Sequence, residues 1–65
     1  MTKHPEVNVK LVGDDSNAFA ILGRCSSAAR RTGLPEEEID TFFKEATQGD
    51  YNHLLVTCMN WFNCE

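Results

Sequence analysis

The side chains best suited to act as nucleophile, general base or soft metal ligand near neutral pH are two histidines, His4 and His53, and three cysteines, Cys25, Cys58 and Cys64. Their spacing argues against all three roles. His53 and Cys58 lie five residues apart on one expected helix, and neither has an activating partner beside it in sequence. A nucleophile needs a base within hydrogen-bond reach and a third group to orient that base. A metal site would require His4, His53, Cys58 and Cys64 to converge from distant positions, with no CxxC or HxxxH pair to anchor it. No catalytic residue, metal ligand or cofactor site is therefore expected, and the chain reads as a non-enzyme.

Charged side chains offer the next candidates. Asp14, Asp15, Ser16 and Asn17 supply four hard oxygens in a row. They lack the alternation, glycine and distal glutamate of a calcium loop, and two carboxylates repel a phosphate. Capping the following helix is their ordinary use. Glu36, Glu37, Glu38 and Asp40 form an acidic run. At a helix start it complements the positive end of the helix, and it is also a candidate surface for a basic protein partner. Arg24, Arg30, Arg31 and Lys10 are the candidate nucleic-acid contacts. On a helix Arg24 and Arg31 lie nearly in line about two turns apart, and Arg30 is displaced by roughly a third of a turn. Against that use, Arg30 and Arg31 fall in a last helical turn that favours cations, close in sequence to the glutamates.

The elements that position these residues follow from periodicity. Residues 1–6 read as a polar tail. Val7, Val9 and Leu11 alternate with Asn8 and Lys10, which predicts a strand over 7–12, and Gly13 opens a turn. Ala18, Ile21, Leu22, Cys25, Ala28 and Ala29 predict a helix over 17–32 with one apolar face, flanked by Phe19 and stopped at Gly33. Gly23 inside it suggests close approach of another backbone. Pro35 and the three glutamates open a second helix over 35–47, whose stripe is Ile39, Phe42, Phe43 and Ala46. Asp50 is a candidate N-cap for a third helix over 50–63, with Tyr51, Leu54, Leu55, Cys58 and Phe62 on one face and Met59 and Trp61 beside it. That helix carries no Lys or Arg, which removes it as a DNA-recognition helix.

The lone strand needs a ladder partner. The C-terminal residues can return to it, it can add to another protein's sheet, or it can pair with the same strand of a second copy. Self-pairing in a homodimer is the expectation drawn here. An extended segment without a ladder is the remaining possibility.

At 65 residues the chain is a single domain. A domain of this size buries only about 60% of the surface its unfolded chain exposes. Phe19, Phe42, Phe43, Tyr51, Trp61 and Phe62 are therefore expected to carry much of the core. Three cysteines cannot all pair within one chain, and each falls at or near an apolar position, so they read as plain buried thiols. The opening residues have no apolar signal-peptide stretch and no run reaches membrane-spanning length, so a reducing cytoplasm is expected. The net charge of −4 is uneven: residues 1–34 hold five Lys or Arg against three Asp or Glu, and residues 35–65 hold one Lys against seven.

Two blocks carry a resemblance. They are Val9 to Arg24, with its Gly13-Asp14 turn and the run from Asn17 to Arg24, and Glu45 to Leu55. Together they resemble a family of very small proteins encoded by bacteria, phages and other mobile elements, over most of residues 7–62. Glycine is usual in that family where this chain has Ser16, and an aliphatic residue where it has Cys25. The resemblance implies a bacterial or phage context and supplies no activity.

The combined reading is a mainly α fold: one short N-terminal β-strand followed by a three-helix bundle, a small α+β domain. The expected function is a small protein-interaction module, an accessory or regulatory factor. Its candidate protein contacts are Glu36, Glu37, Glu38, Tyr51 and Trp61, with core filling the competing use for Trp61. The alternative is a small nucleic-acid-binding regulator using Lys10, Arg24, Arg30 and Arg31.

Overall fold

The computed structural model describes residues 2–11 and 17–64. The expected turn at Gly13 to Ser16, and Val12 before it, lie outside the described residues. In chain order the elements are β1 (His4–Val9), α1 (Ala18–Thr32), α2 (Glu36–Ala46), α3 (Tyr51–Trp61) and β2 (Phe62–Cys64). The chain is mainly helical, as the periodicity predicts, and its small β part is a strand pair rather than the single strand expected.

Local chemistry sets the helix ends. Asn17 Oδ1 accepts the Ala20 N–H at 2.8 Å, which satisfies one orphan donor of the first turn of α1. Gly33 ends α1 in the left-handed region at φ 104°. Its N–H bonds the Arg30 carbonyl while Leu34 N–H bonds that of Ala29, the paired closure typical of a glycine stop. Pro35 sits just before α2, and its carbonyl receives the Glu38 and Ile39 N–H groups. Asp50 caps α3 by accepting the His53 N–H at 2.9 Å.

The strands depart from expectation in two ways. β1 begins at His4, so half of the expected polar tail is strand, and it ends at Val9, leaving Leu11 partly buried beyond it. α3 stops at Trp61, because Phe62 turns extended (φ −130°, ψ 163°) to enter β2. β2 then pairs in parallel with β1, His4 opposite Phe62 and Val9 opposite Cys64, with an irregularity between. This is the route in which the C-terminal residues return to the strand. Parallel partners need a long crossover, and the three helices supply it. Lys3 N–H to the Asn60 carbonyl (2.8 Å) and Asn63 Nδ2 to Asn8 Oδ1 (2.7 Å) extend the closure.

The core lies where the strand pair meets all three helices. Val7 and Val9 face it from β1, and Phe42 and Phe62 stack with ring centroids 4.8 Å apart. Trp61 meets Phe42 edge-on at 5.7 Å and is only 3% exposed. Three aromatics expected in the core are outside it: Phe19 is 85% exposed, Phe43 44% and Tyr51 42%. Phe19 and Tyr51 stand in the first turns of α1 and α3, and Phe43 lies beside the buried Phe42 on α2. The expected backbone approach at Gly23 is also absent, since a Cβ there would meet nothing within 4 Å. The close approach is at Gly49, where a Cβ would lie 2.7 Å from His53 Cβ.

These placements have opposite consequences for stability. Gly23→Ala should raise unfolding free energy by about 0.5–1 kcal/mol, because Gly23 is exposed in a helix interior. Phe62→Ala should lower it by about 3–5 kcal/mol. Urea titration followed by circular dichroism checks both. A destabilising Gly23→Ala, or a Phe62→Ala within about 0.5 kcal/mol of the parent, would contradict this packing.

Candidate functional site

An apolar groove lies between the start of α1 and the α2–α3 corner. Ala18, Phe19 and Leu22 form one wall, and Ala46, Tyr51 and Leu54 the other. Thr47, Gly49 and Asp50 close one end, and the volume is about 230 Å³. Short side chains at Ala18 and Ala46 make the recess, while Phe19 and Tyr51 stand at its rim. A phenyl ring left 85% exposed forgoes the burial that would otherwise stabilise the fold.

The acidic start of α2 is partly engaged within the chain. Arg30 Nε donates to Glu36 Oε1 at 2.7 Å, and Nη2 donates to Oε2 at 3.3 Å. That hydrogen bond, together with the guanidinium charge, holds the Glu36 carboxyl below the ordinary range. Glu38 Oε2 lies 2.9 Å from His4 Nε2 and ties α2 to β1, and Glu6, on β1 itself, approaches His4 Nδ1 at 3.5 Å. Glu37 is exposed. Thus the three glutamates point to different tasks and do not form one free acidic surface.

Trp61, considered as a contact residue, is a core residue. Its Nε1–H donates to Glu45 Oε2 at 2.6 Å, and the Lys3 ammonium stands 4.1 Å above its ring. Tyr51 lies at the groove. Among the arginines, Arg24 Nη1 donates to the Lys10 carbonyl at 3.4 Å, which brings those two residues together. Arg30 is turned to Glu36, and Arg31 lines a shallow recess with Glu6, Asn8, Ala28 and Thr32. Arg30 and Arg31 also line a second shallow recess together with Ser27.

His53 and Cys58 are not joined as nucleophile and base. His53 Nε2–H donates to the Glu45 carbonyl at 2.8 Å, which pins the α2–α3 corner. Cys58 Sγ meets Cys25 Sγ instead. Among the described residues no group of three His, Cys, Asp or Glu is arranged to hold a metal ion, and no helix is long and apolar enough to cross a membrane.

Periodicity assigned Phe19 to the flank of the buried face and missed it as a surface residue. Its three-residue step to Leu22 places it beside the stripe, so spacing carried no signal that it stays in water. No protein-family model, curated protein or solved structure matches this chain.

The Glu36 carboxylate gives a direct check on this surface. Its folded value is depressed, so its contribution to stability is present above the ordinary carboxylate range and is lost as pH falls through the folded value. A carboxyl-detected NMR titration should place Glu36 below the other exposed glutamates. Arg30→Gln should return it upward, and added salt should do so in part. A Glu36 midpoint indifferent to Arg30→Gln would contradict the pairing.

Proposed function

We propose that this chain is a non-enzymatic protein-interaction module that takes one large apolar side chain of a basic partner segment into the groove between α1 and the α2–α3 corner. The observation that carries the reading is Phe19, 85% exposed at the rim of an apolar recess in a chain with few large side chains. Exposed aromatics beside a pocket are the residues that dominate contact energies when buried by a partner. Charge selects the partner's chemistry. The net charge is −4, Asp50 closes the groove, and seven of the ten acidic residues fall in residues 35–65. A Lys- or Arg-flanked apolar residue complements that field, whereas a second copy of the chain repeats it.

Self-association through β1, the expectation from an unpaired strand, has less support. The strand already has a ladder partner in β2, and Pro5 and Glu6 are features that blunt a strand edge. The nucleic-acid reading through Lys10, Arg24, Arg30 and Arg31 is weakened by the Arg30–Glu36 pair. A bacterial or phage accessory factor is the context we favour, on the family resemblance alone.

Peptide display against the folded chain tests the proposal. Selected sequences should share one Phe, Leu, Trp or Met with Lys or Arg within a few positions. Phe19→Ser should weaken them at least tenfold while the circular dichroism spectrum and melting point stay close to the parent. Arg24→Ala with Arg31→Ala should leave them bound. Selection without such a motif, or binding indifferent to Phe19, would contradict the groove. Salt-sensitive oligonucleotide binding lost with Arg24 and Arg31 would favour the nucleic-acid reading in its place.

A further inference from the structure

We propose that Cys25, Cys58 and Cys64 form a thiol relay in which a small-molecule disulfide reacts first at Cys64 and the stable product is a Cys25–Cys58 disulfide joining α1 to α3. All three cysteines of the chain come together although they belong to α1, α3 and β2. Cys25 Sγ and Cys58 Sγ are in contact at 3.5 Å, and Cys64 Sγ donates to the Cys58 carbonyl at 3.3 Å. All three are free thiols. A disulfide bond is about 2 Å long, so closure asks the two buried sulfurs to approach by about 1.5 Å.

Access orders the relay. Cys25 and Cys58 have no exposed surface, and an oxidant cannot reach either in the folded chain. Cys64 is half-buried on the short strand β2 and is the entry point. In the first step the Cys64 thiolate attacks one sulfur of a disulfide RSSR. The S–S bond breaks and RS⁻ leaves, taking up the proton that Cys64 lost. The Cys58 thiolate then attacks the Cys64 sulfur of the mixed disulfide, which forms Cys58–Cys64 and expels the second RS⁻, and that thiolate takes up the proton Cys58 lost. Finally the Cys25 thiolate attacks the Cys58 sulfur, and Cys64 departs as thiolate and accepts the Cys25 proton. Two protein thiols are oxidised, one RSSR is reduced to two RSH, and Cys64 is restored. The final bond is favoured because its sulfurs are already in contact and sealed from further exchange.

Burial pushes the Cys64 thiol up to about 11, and the hydrogen bond to Cys58 followed by burial pushes Cys25 up as well. Entry is therefore slow at neutral pH and accelerates as pH rises, by about tenfold per unit while Cys64 remains mostly protonated. The inference is independent of what the groove binds.

The test uses the full chain and glutathione disulfide, with acid quenching, intact mass measurement and peptide mapping. Folded protein should lose about 2 Da, carry a Cys25–Cys58 link and keep Cys64 alkylatable. Cys64→Ser should slow the link at least tenfold in native buffer but leave its rate in denaturant within twofold. Cys58→Ser should stop at a glutathione adduct on Cys64. A wild-type product that stays as Cys58–Cys64 or as the glutathione adduct would overturn the relay. So would no product in native buffer, or a Cys64→Ser chain that forms the link at the parent's rate. The wild-type map alone decides the product, whether or not either variant folds.

Discussion

The parallel pairing of β1 with β2 sets His4 opposite Phe62, and the placement of the helices depends on that closure. Phe62 ends α3 by turning extended and drops its ring onto Phe42 of α2 in the same step. Val7 and Val9 enter the core from the other strand. A chain this short has a marginal apolar core, and joining its two terminal segments through backbone hydrogen bonds keeps the three helices from separating. Trp61, directly before β2, links the closure to α2 through Glu45 and to the N-terminal segment through Lys3.

The same closure explains where the charges went. Glu38 and Glu6 hold His4 at the beginning of β1, and Glu36 holds Arg30 across the α1–α2 corner. Acidic side chains that complement the start of α2 also fasten its neighbours, so the surplus of carboxylates is partly structural. The large apolar side chain left most exposed among the described residues is Phe19, beside the shallow groove between the start of α1 and the α2–α3 corner. Cys25 and Cys58 sit within the core itself, where they fill volume between α1 and α3, and Cys64 packs half-buried against it from β2.

The helices were legible because their signals are local. Asn17, Gly33 and Asp50 do at the helix ends what their side chains or backbone freedom allow, and the stripes of α1 and α2 follow helical spacing. The strand pair was legible only in part. Val7 and Val9 alternate visibly, but β2 is three residues long and continuous with a helical pattern, so its pairing depends on a contact more than fifty residues away in sequence. Composition says how many large side chains exist, and spacing puts Phe43 and Tyr51 on their stripes, but neither says which of them tertiary packing leaves in water. The meeting of Cys25 with Cys58 was illegible for the same reason as β2: it is made by the packing of α1 on α3 and by no spacing along the chain. Of the residues considered as contacts, Tyr51 alone lies at the groove, while Trp61, Glu36 and Glu38 turn out to be used in holding the fold.

Hydrogen–deuterium exchange at the Lys3 amide tests the closure most directly, because that N–H is bonded to the Asn60 carbonyl at 2.8 Å just outside both strands. Closure predicts that the Lys3 amide exchanges only when the whole domain opens, with protection within about tenfold of the Ile21 and Phe42 amides. Exchange of Lys3 at the rate of an open chain, while Ile21 and Phe42 stay protected, would mean that the helices pack without the strand pair and would contradict the account.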